Sequence, residues 1–121
     1  MPLPETIDQG IFVRFFDSLG QDVEFLNEVV EEFLNSGQVL LASMQQAIVT
    51  GEAPALQRAA HSLKTGSATF GALSFSAQCK ELEDIGKSGV LDGAELKLNS
   101  LKSSYAEVVM ALKSQLESAG S

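Results

Sequence analysis

Residues 59–72 read AAHSLKTGSATFGA, and the period of their apolar side chains decides the local fold. At about 100° per residue, one side of a helix collects the apolar residues of this region, which are Leu56, Ala59, Ala60, Leu63 and Phe70. The only histidine of the chain, His61, lies about 160° around the helix from Leu63. The pattern therefore predicts a helix that buries its apolar stripe and presents the imidazole of His61 to solvent.

The outward face around His61 carries two cations, Arg58 and Lys64, and two small side chains, Thr65 and Ala68. A neutral imidazole nitrogen is a good nucleophile toward a phosphoryl group, and the reference pKa of histidine, about 6.5, keeps a neutral fraction at physiological pH. Nearby cations would stabilise the negative charge of the product. Position alone fits an ordinary surface histidine, whereas the surrounding face favours chemistry on a phosphate.

The rest of the chain repeats the helical period and contains no convincing strand pattern. We predict helices over about residues 7–19, 22–35, 38–49, 54–70, 73–87 and 94–117. Thr6 and Gln9 predict a capping box, and Ser36-Gly37 predict a break between the second and third helices. Because short connections favour antiparallel neighbours, the expected fold is all-α, an antiparallel four-helix bundle with shorter N-terminal helices at one end. We expect one domain over residues 1–121, with residues 1–5 flexible.

Composition narrows the class of protein. A chain of 121 residues can bury a real core, and its formal net charge of −8 argues against a nucleic-acid partner. No signal peptide is visible at the N-terminus, and no apolar run has the length of a bilayer. The single cysteine, Cys79, excludes an internal disulfide and fits a reducing compartment. We therefore expect a cytoplasmic monomer that contacts no membrane.

Two other catalytic features, a phosphate-binding loop and a metal site, are not supported by the sequence. Gly66 and Gly71 have the spacing of a phosphate-binding loop, but Ala72 and Leu73 follow where that loop needs lysine and a hydroxyl residue. A metal site is disfavoured because Cys79 falls on the buried stripe of its helix while His61 points outward. We predict no metal and no cofactor on this chain.

A motif surrounds His61 and continues into the next helix, with His61, Leu63, Lys64, Gly66, Ser67, Gly71, Ala72, Cys79, Leu82 and Glu83 as its members. The motif resembles the signature of histidine-containing phosphotransfer (HPt) domains of two-component phosphorelays, whose usual pattern is His-x-Leu-Lys-Gly-x-Ser. Residues 21–26 are also similar to the family's second segment. The resemblance implies a four-helix bundle that accepts a phosphoryl group on His61 from a receiver-domain aspartate and passes it to another receiver aspartate.

The same resemblance implies roles for the site residues. His61 would be the phosphoacceptor, through Nε2, and Lys64 would help to hold the phosphate. Glu83 would hydrogen-bond the other ring nitrogen and orient the imidazole. For Glu83, an intrahelical ion pair with Lys80 or Lys87 is the alternative.

The implied partners are response-regulator receiver domains and a hybrid sensor histidine kinase. The receiver would bring Mg²⁺ and most catalytic groups, so this chain would be a carrier without kinase activity of its own. Arg58, Thr65 and Ala68 are the predicted receiver docking face. Arg58 is assigned from helical spacing alone.

Thr65 departs from the family pattern, because glycine usually follows the lysine directly and here stands at Gly66. The methyl group of Thr65, one turn after His61, would crowd an incoming receiver. This departure favours the alternative function, a non-catalytic receiver-binding helical module.

A third interpretation is the phosphoacceptor part of a histidine kinase. That interpretation expects an acidic residue after the histidine and an attached ATP-binding domain. Ser62 and the short chain both argue against it.

Overall fold

The computed structural model describes residues 6–120, so the predicted flexibility of residues 1–5 lies outside the described residues. Within that part the chain forms only helices, namely α1 (Gln9–Ser18), α2 (Val23–Thr50), α3 (Ala53–Thr69), α4 (Leu73–Ser88) and α5 (Ala94–Ala119). None of these helices combines the length and apolarity that a membrane span needs. The prediction of an all-α fold is confirmed.

Helices α2 to α5 form the four-helix bundle. Helix α2 packs on α3 and α5, and α4 packs on the same two neighbours, so the four helices enclose one core. Consecutive helices run antiparallel because short connections join them, with only residues 51–52 between α2 and α3 and residues 70–72 between α3 and α4. Leucines supply much of the fully buried core, and each contributes about 1.5–3 kcal/mol through burial.

The predicted break at Ser36-Gly37 is wrong, because α2 continues through both residues. Gly37 is buried against the ring of Tyr105 on α5, and a Cβ atom at this position would lie 2.7 Å from that ring. The Tyr105 hydroxyl also donates to the carbonyl of Leu34 on α2. Gly37 is therefore a packing position inside a long helix. Residues predicted to form two helices form one.

A single short helix, α1, covers one end of the bundle where we predicted more than one. Asp8 caps it, with Oδ1 accepting from the Ile11 backbone N–H at 3.0 Å, so the predicted capping box of Thr6 and Gln9 is wrong. The backbone N–H of Asp8 donates to the carbonyl of Gly71 at 2.9 Å. This bond ties the start of α1 to the connection between α3 and α4.

Helices α3 and α4 approach each other closely at Gly86. A Cβ atom at this position would lie 2.6 Å from the backbone nitrogen of Gln57 and 2.9 Å from the carbonyl oxygen of Ala53. Gly86 is buried inside α4, within the helix predicted over residues 73–87. Because the two backbones nearly touch here, side chains on α4 can reach across to α3.

Candidate functional site

His61 lies on the outward face of α3, as predicted, and 59% of its side chain is exposed. Its Nδ1 atom lies 2.7 Å from Oε2 of Glu83 on α4. A carboxylate only accepts hydrogen bonds, so this contact places the proton of the neutral ring on Nδ1. The Nε2 atom then carries the free lone pair at the exposed side of the ring.

Glu83 is a buried carboxylate that serves two partners. Only 4% of its side chain is exposed, and its Oε1 atom accepts from Nζ of Lys64 at 2.6 Å while Oε2 faces His61. The hydrogen bond from Lys64 lowers the pKa of the Glu83 carboxyl below its ordinary value, and the bond with His61 adds to this, while burial acts in the opposite direction. Glu83 is therefore an anion at neutral pH, with each oxygen bound to a group on α3.

Lys64 follows His61 by almost one turn of α3 and contacts the same carboxylate, that of Glu83. We predicted a lysine on the outward face, but its side chain is only 27% exposed because it leans toward Glu83. The intrahelical alternative for Glu83 is wrong, since Lys80 instead pairs with the exposed Asp84 at 3.0 Å. His61, Lys64 and Glu83 thus form one hydrogen-bonded cluster, which we call the His–Glu–Lys cluster.

The three residues predicted to form a docking face surround this cluster without joining it. Arg58 is exposed and makes no hydrogen bond or ion pair within residues 6–120. Thr65 is exposed, and its hydroxyl donates to the carbonyl of His61 at 3.1 Å. Ala68 is half-buried. Their role in docking stays a prediction.

An apolar groove of about 340 Å³ lies between α2 and α3, beside the His–Glu–Lys cluster. Its lining comes from α1, α2 and α3 and includes Phe15, Val29, Phe33, Leu40, Ser62, Gly66 and Thr69. Two other phenylalanines of α1 belong to the core, since Phe12 is buried in it and Phe16 packs against it. The groove was missed because its walls belong to helices whose relative placement the sequence does not reveal.

Two serines near the site were also missed as functional candidates. Ser67 and Ser76 both donate hydroxyl hydrogen bonds to the backbone carbonyl of Lys64, each at 3.0 Å. Ser67 belongs to the quoted motif, but no sequence signal distinguishes Ser76 from the other serines of α4.

The described residues contain no group of three or more His, Cys, Asp or Glu side chains that could hold a metal ion. Cys79 is buried, and burial raises the pKa of its thiol to about 12. It is a core residue, as predicted, and its thiol stays protonated at neutral pH.

Comparisons with known proteins agree with this geometry. The family model described as Hpt domain matches residues 28–119. The crystal structure of histidine-containing phosphotransfer protein B (HptB) from Pseudomonas aeruginosa PAO1 is similar, with a TM-score of 0.86 and 25% sequence identity over 95% of this chain and 97% of that chain. No curated protein sequence matches the chain significantly.

Proposed function

The chain belongs to the Hpt domain family and is a histidine phosphotransfer carrier of phosphorelays, and we propose that His61 is the residue that carries the phosphoryl group. The supporting observation is the contact of 2.7 Å between Nδ1 of His61 and Oε2 of Glu83. That contact fixes the proton on Nδ1 and leaves Nε2 free at an exposed site. His61 is also the only histidine of the chain.

The transfer of the phosphoryl group to His61 requires no general base from this chain. The lone pair of Nε2 attacks the phosphorus of a receiver aspartyl phosphate, and the bond between phosphorus and the aspartate oxygen breaks. The bonding electrons leave with that oxygen as an aspartate carboxylate. The imidazole keeps its proton on Nδ1 and becomes cationic, and the Glu83 carboxylate stabilises this cation through the same hydrogen bond. The reverse step returns the group to another receiver.

Lys64 supplies positive charge where the phosphoryl group arrives. Its ammonium group already lies on the carboxylate that holds the imidazole, with Nζ 2.6 Å from Oε1 of Glu83. An incoming phosphoryl group carries about two negative charges and competes with Glu83 for this ammonium group. We propose that the ammonium group of Lys64 moves from Glu83 toward the phosphate as the bond between phosphorus and Nε2 forms.

The open surface around His61 suits a receiver. We propose that Arg58, Thr65 and Ala68 contact the receiver and that the neighbouring apolar groove is covered when it docks. In this proposal the receiver brings Mg²⁺, and this chain has neither a metal of its own nor kinase activity. A phosphoryl donor such as a hybrid sensor histidine kinase, a monomeric state and a cytoplasmic location belong to the same proposal.

The proposal is tested by phosphoryl transfer from a panel of phosphorylated receiver domains. The wild type is expected to take up an acid-labile phosphate, and His61→Gln is expected to take up none. Ser74→Ala is the control, because Ser74 is exposed on α4 and lies outside both the His–Glu–Lys cluster and the apolar groove. A label that persists in His61→Gln would refute the assignment of His61.

The alternative, a non-catalytic receiver-binding module, is favoured by one observation, the exposed side chain of Thr65 one turn after His61, where the family pattern has glycine. Under this alternative a receiver binds the wild type and His61→Gln equally, and neither protein is labelled. The assembled His–Glu–Lys cluster favours the carrier, because a binding module has no need of a fixed imidazole tautomer.

A further inference from the structure

The backbone carbonyl of Lys64 joins the His–Glu–Lys cluster to a second contact between α3 and α4. It accepts from the hydroxyl of Ser67, which belongs to the same helix, and from the hydroxyl of Ser76, which belongs to α4, each at 3.0 Å. Only the bond from Ser76 crosses between the helices. This bond attaches α4 to the backbone of Lys64, and the side chain of Lys64 is the one that hydrogen-bonds Glu83.

Ser76 and Glu83 lie on the same face of α4, because seven residues make almost two helical turns. Ser76 bonds the backbone of Lys64, and Glu83 bonds the side chains of Lys64 and His61. Beyond Glu83, Gly86 presses against the backbone of α3 at Gln57. Glu83 is therefore held between two fixed points, a hydrogen bond on one side and a close backbone contact on the other.

The close contact at Gly86 fixes the distance between the helices there, but it contains no directional bond. Gly86 has no side chain with which to make such a bond. The hydrogen bond from Ser76 has a preferred length and direction, so it resists sliding and rotation of α4 against α3. The contact of Glu83 with Nδ1 of His61 needs that resistance, since a hydrogen bond weakens steeply with misalignment.

We propose that Ser76 is a positioning residue that holds α4 in register with α3 so that Glu83 reaches Nδ1 of His61. Its hydroxyl acts through Glu83 and does not touch the reacting nitrogen. The consequence for phosphoryl transfer rests on the function proposed above for His61, but the consequence for the imidazole tautomer does not.

The experiment reads the tautomer of the His61 ring by ¹⁵N NMR of the full chain. A single histidine gives one set of ring signals, so the assignment is unambiguous. In the wild type, Nδ1 is protonated and Nε2 is not when the ring is neutral. In Ser76→Ala, the two ring shifts move toward each other as the tautomers mix.

The matched variants separate positioning from packing. Ser74→Ala removes an exposed hydroxyl from the same helix that bonds nothing within residues 6–120, and it leaves the ring shifts unchanged. Ser76→Thr keeps a hydroxyl and restores the wild-type shifts. Ser76→Cys keeps the volume with only a weak donor, so it replaces the alanine variant if that variant does not fold. We expect phosphoryl transfer to fall about three- to tenfold in Ser76→Ala, the range for losing one hydrogen bond.

Wild-type ring shifts in both Ser76→Ala and Ser76→Cys would overturn the proposal, even if the melting temperature fell. A lower melting temperature alone would assign Ser76 a purely structural role. If the wild type accepted no phosphoryl group from any receiver while Ser76→Ala still mixed the tautomers, the positioning role would stand and the proposed function of His61 would fail.

Discussion

Nδ1 of His61 on α3 and Oε2 of Glu83 on α4 lie 2.7 Å apart, although 22 positions separate the two residues in the sequence. The histidine is exposed and the glutamate is buried, so the bond links a solvent-facing ring to an anchored carboxylate. An exposed side chain would otherwise sample several rotamers and both neutral tautomers. The pair therefore converts an ordinary surface histidine into a nucleophile of fixed orientation.

Substitution of Glu83 tests this orientation. In Glu83→Ala the imidazole loses its partner and Lys64 loses its counter-ion, so we expect phosphoryl transfer to fall about ten- to hundredfold, the range for losing a charged hydrogen bond. Glu83→Gln keeps an acceptor for the Nδ1 proton without the charge and should retain intermediate activity. Single-turnover transfer from one phosphorylated receiver measures both. Wild-type rates in Glu83→Ala would contradict the orienting role.

The stability of the protein should depend on the ionisation of Glu83. The pKa of this carboxyl is lowered in the folded state, chiefly by the hydrogen bond from Lys64. The stabilisation is therefore complete above the unfolded-state pKa of about 4.3 and is lost as the pH falls through the lower folded-state pKa. Urea unfolding at a series of pH values should show a steeper acid loss for the wild type than for Glu83→Gln. Parallel pH profiles would contradict the lowered pKa.

Lys64 should matter for both stability and the phosphorylated state. Lys64→Ala leaves the buried Glu83 with one partner, so we expect a loss of about 1–3 kcal/mol in the free energy of unfolding. We also expect transfer to slow about tenfold, because a charge-assisted contact to the phosphate is gone. Lys80→Ala is the control, since its exposed pair with Asp84 is worth about 0–1 kcal/mol. Equal effects of the two substitutions would argue against a special role of Lys64.

Thr65 should limit which receivers can dock. Thr65→Ala removes the methyl group and the hydroxyl from the face of His61 and keeps a good helix former. We expect it to speed transfer from the receivers that the wild type uses slowly, with little change for the fastest one. Thr65→Ser, which keeps the hydroxyl and loses only the methyl group, should behave like Thr65→Ala. An unchanged receiver profile in both variants would show that Thr65 does not contact the receiver.

Gly86 should be intolerant of any side chain. In Gly86→Ala the new Cβ atom meets the backbone of Gln57 at 2.6 Å, and backbone cannot move aside as a side chain can. We expect a loss of about 1–3 kcal/mol in the free energy of unfolding, as for other overpacked positions, together with disturbed ring shifts of His61. Gly37→Ala meets only the ring of Tyr105 and should leave those shifts unchanged. Wild-type stability of Gly86→Ala would contradict the close approach of α3 and α4.

Helical periodicity predicts which face of α3 holds His61, because that property is local to the helix. It also predicts the apolar stripes that form the core of the bundle. The contact of Glu83 with His61 was predicted through the resemblance to a family, not through spacing, since spacing leaves Glu83 free to pair with Lys80 or Lys87. The hydrogen bond from Lys64 to Glu83 was not predicted. The structure resolves that choice because the close approach at Gly86 brings α4 within reach of His61.

The errors have a common physical cause. A glycine such as Gly37 can end a helix or can make room for a ring from another part of the chain, and the local sequence does not distinguish the two. Here the ring belongs to Tyr105, which lies on another helix. Ser76 carries no pattern of its own, because its partner is a backbone carbonyl on α3. Both positions depend on the relative placement of two helices, which no local signal encodes.

The central claim is that Nε2 of His61 carries the phosphoryl group while Nδ1 stays protonated against Glu83. The most direct test is combined ³¹P and ¹⁵N NMR of the ¹⁵N-labelled protein after transfer from a phosphorylated receiver. The account predicts one phosphoramidate signal whose phosphorus couples to Nε2 of His61, together with a protonated Nδ1. Coupling to Nδ1, or a phosphoryl group on any other residue, would contradict it.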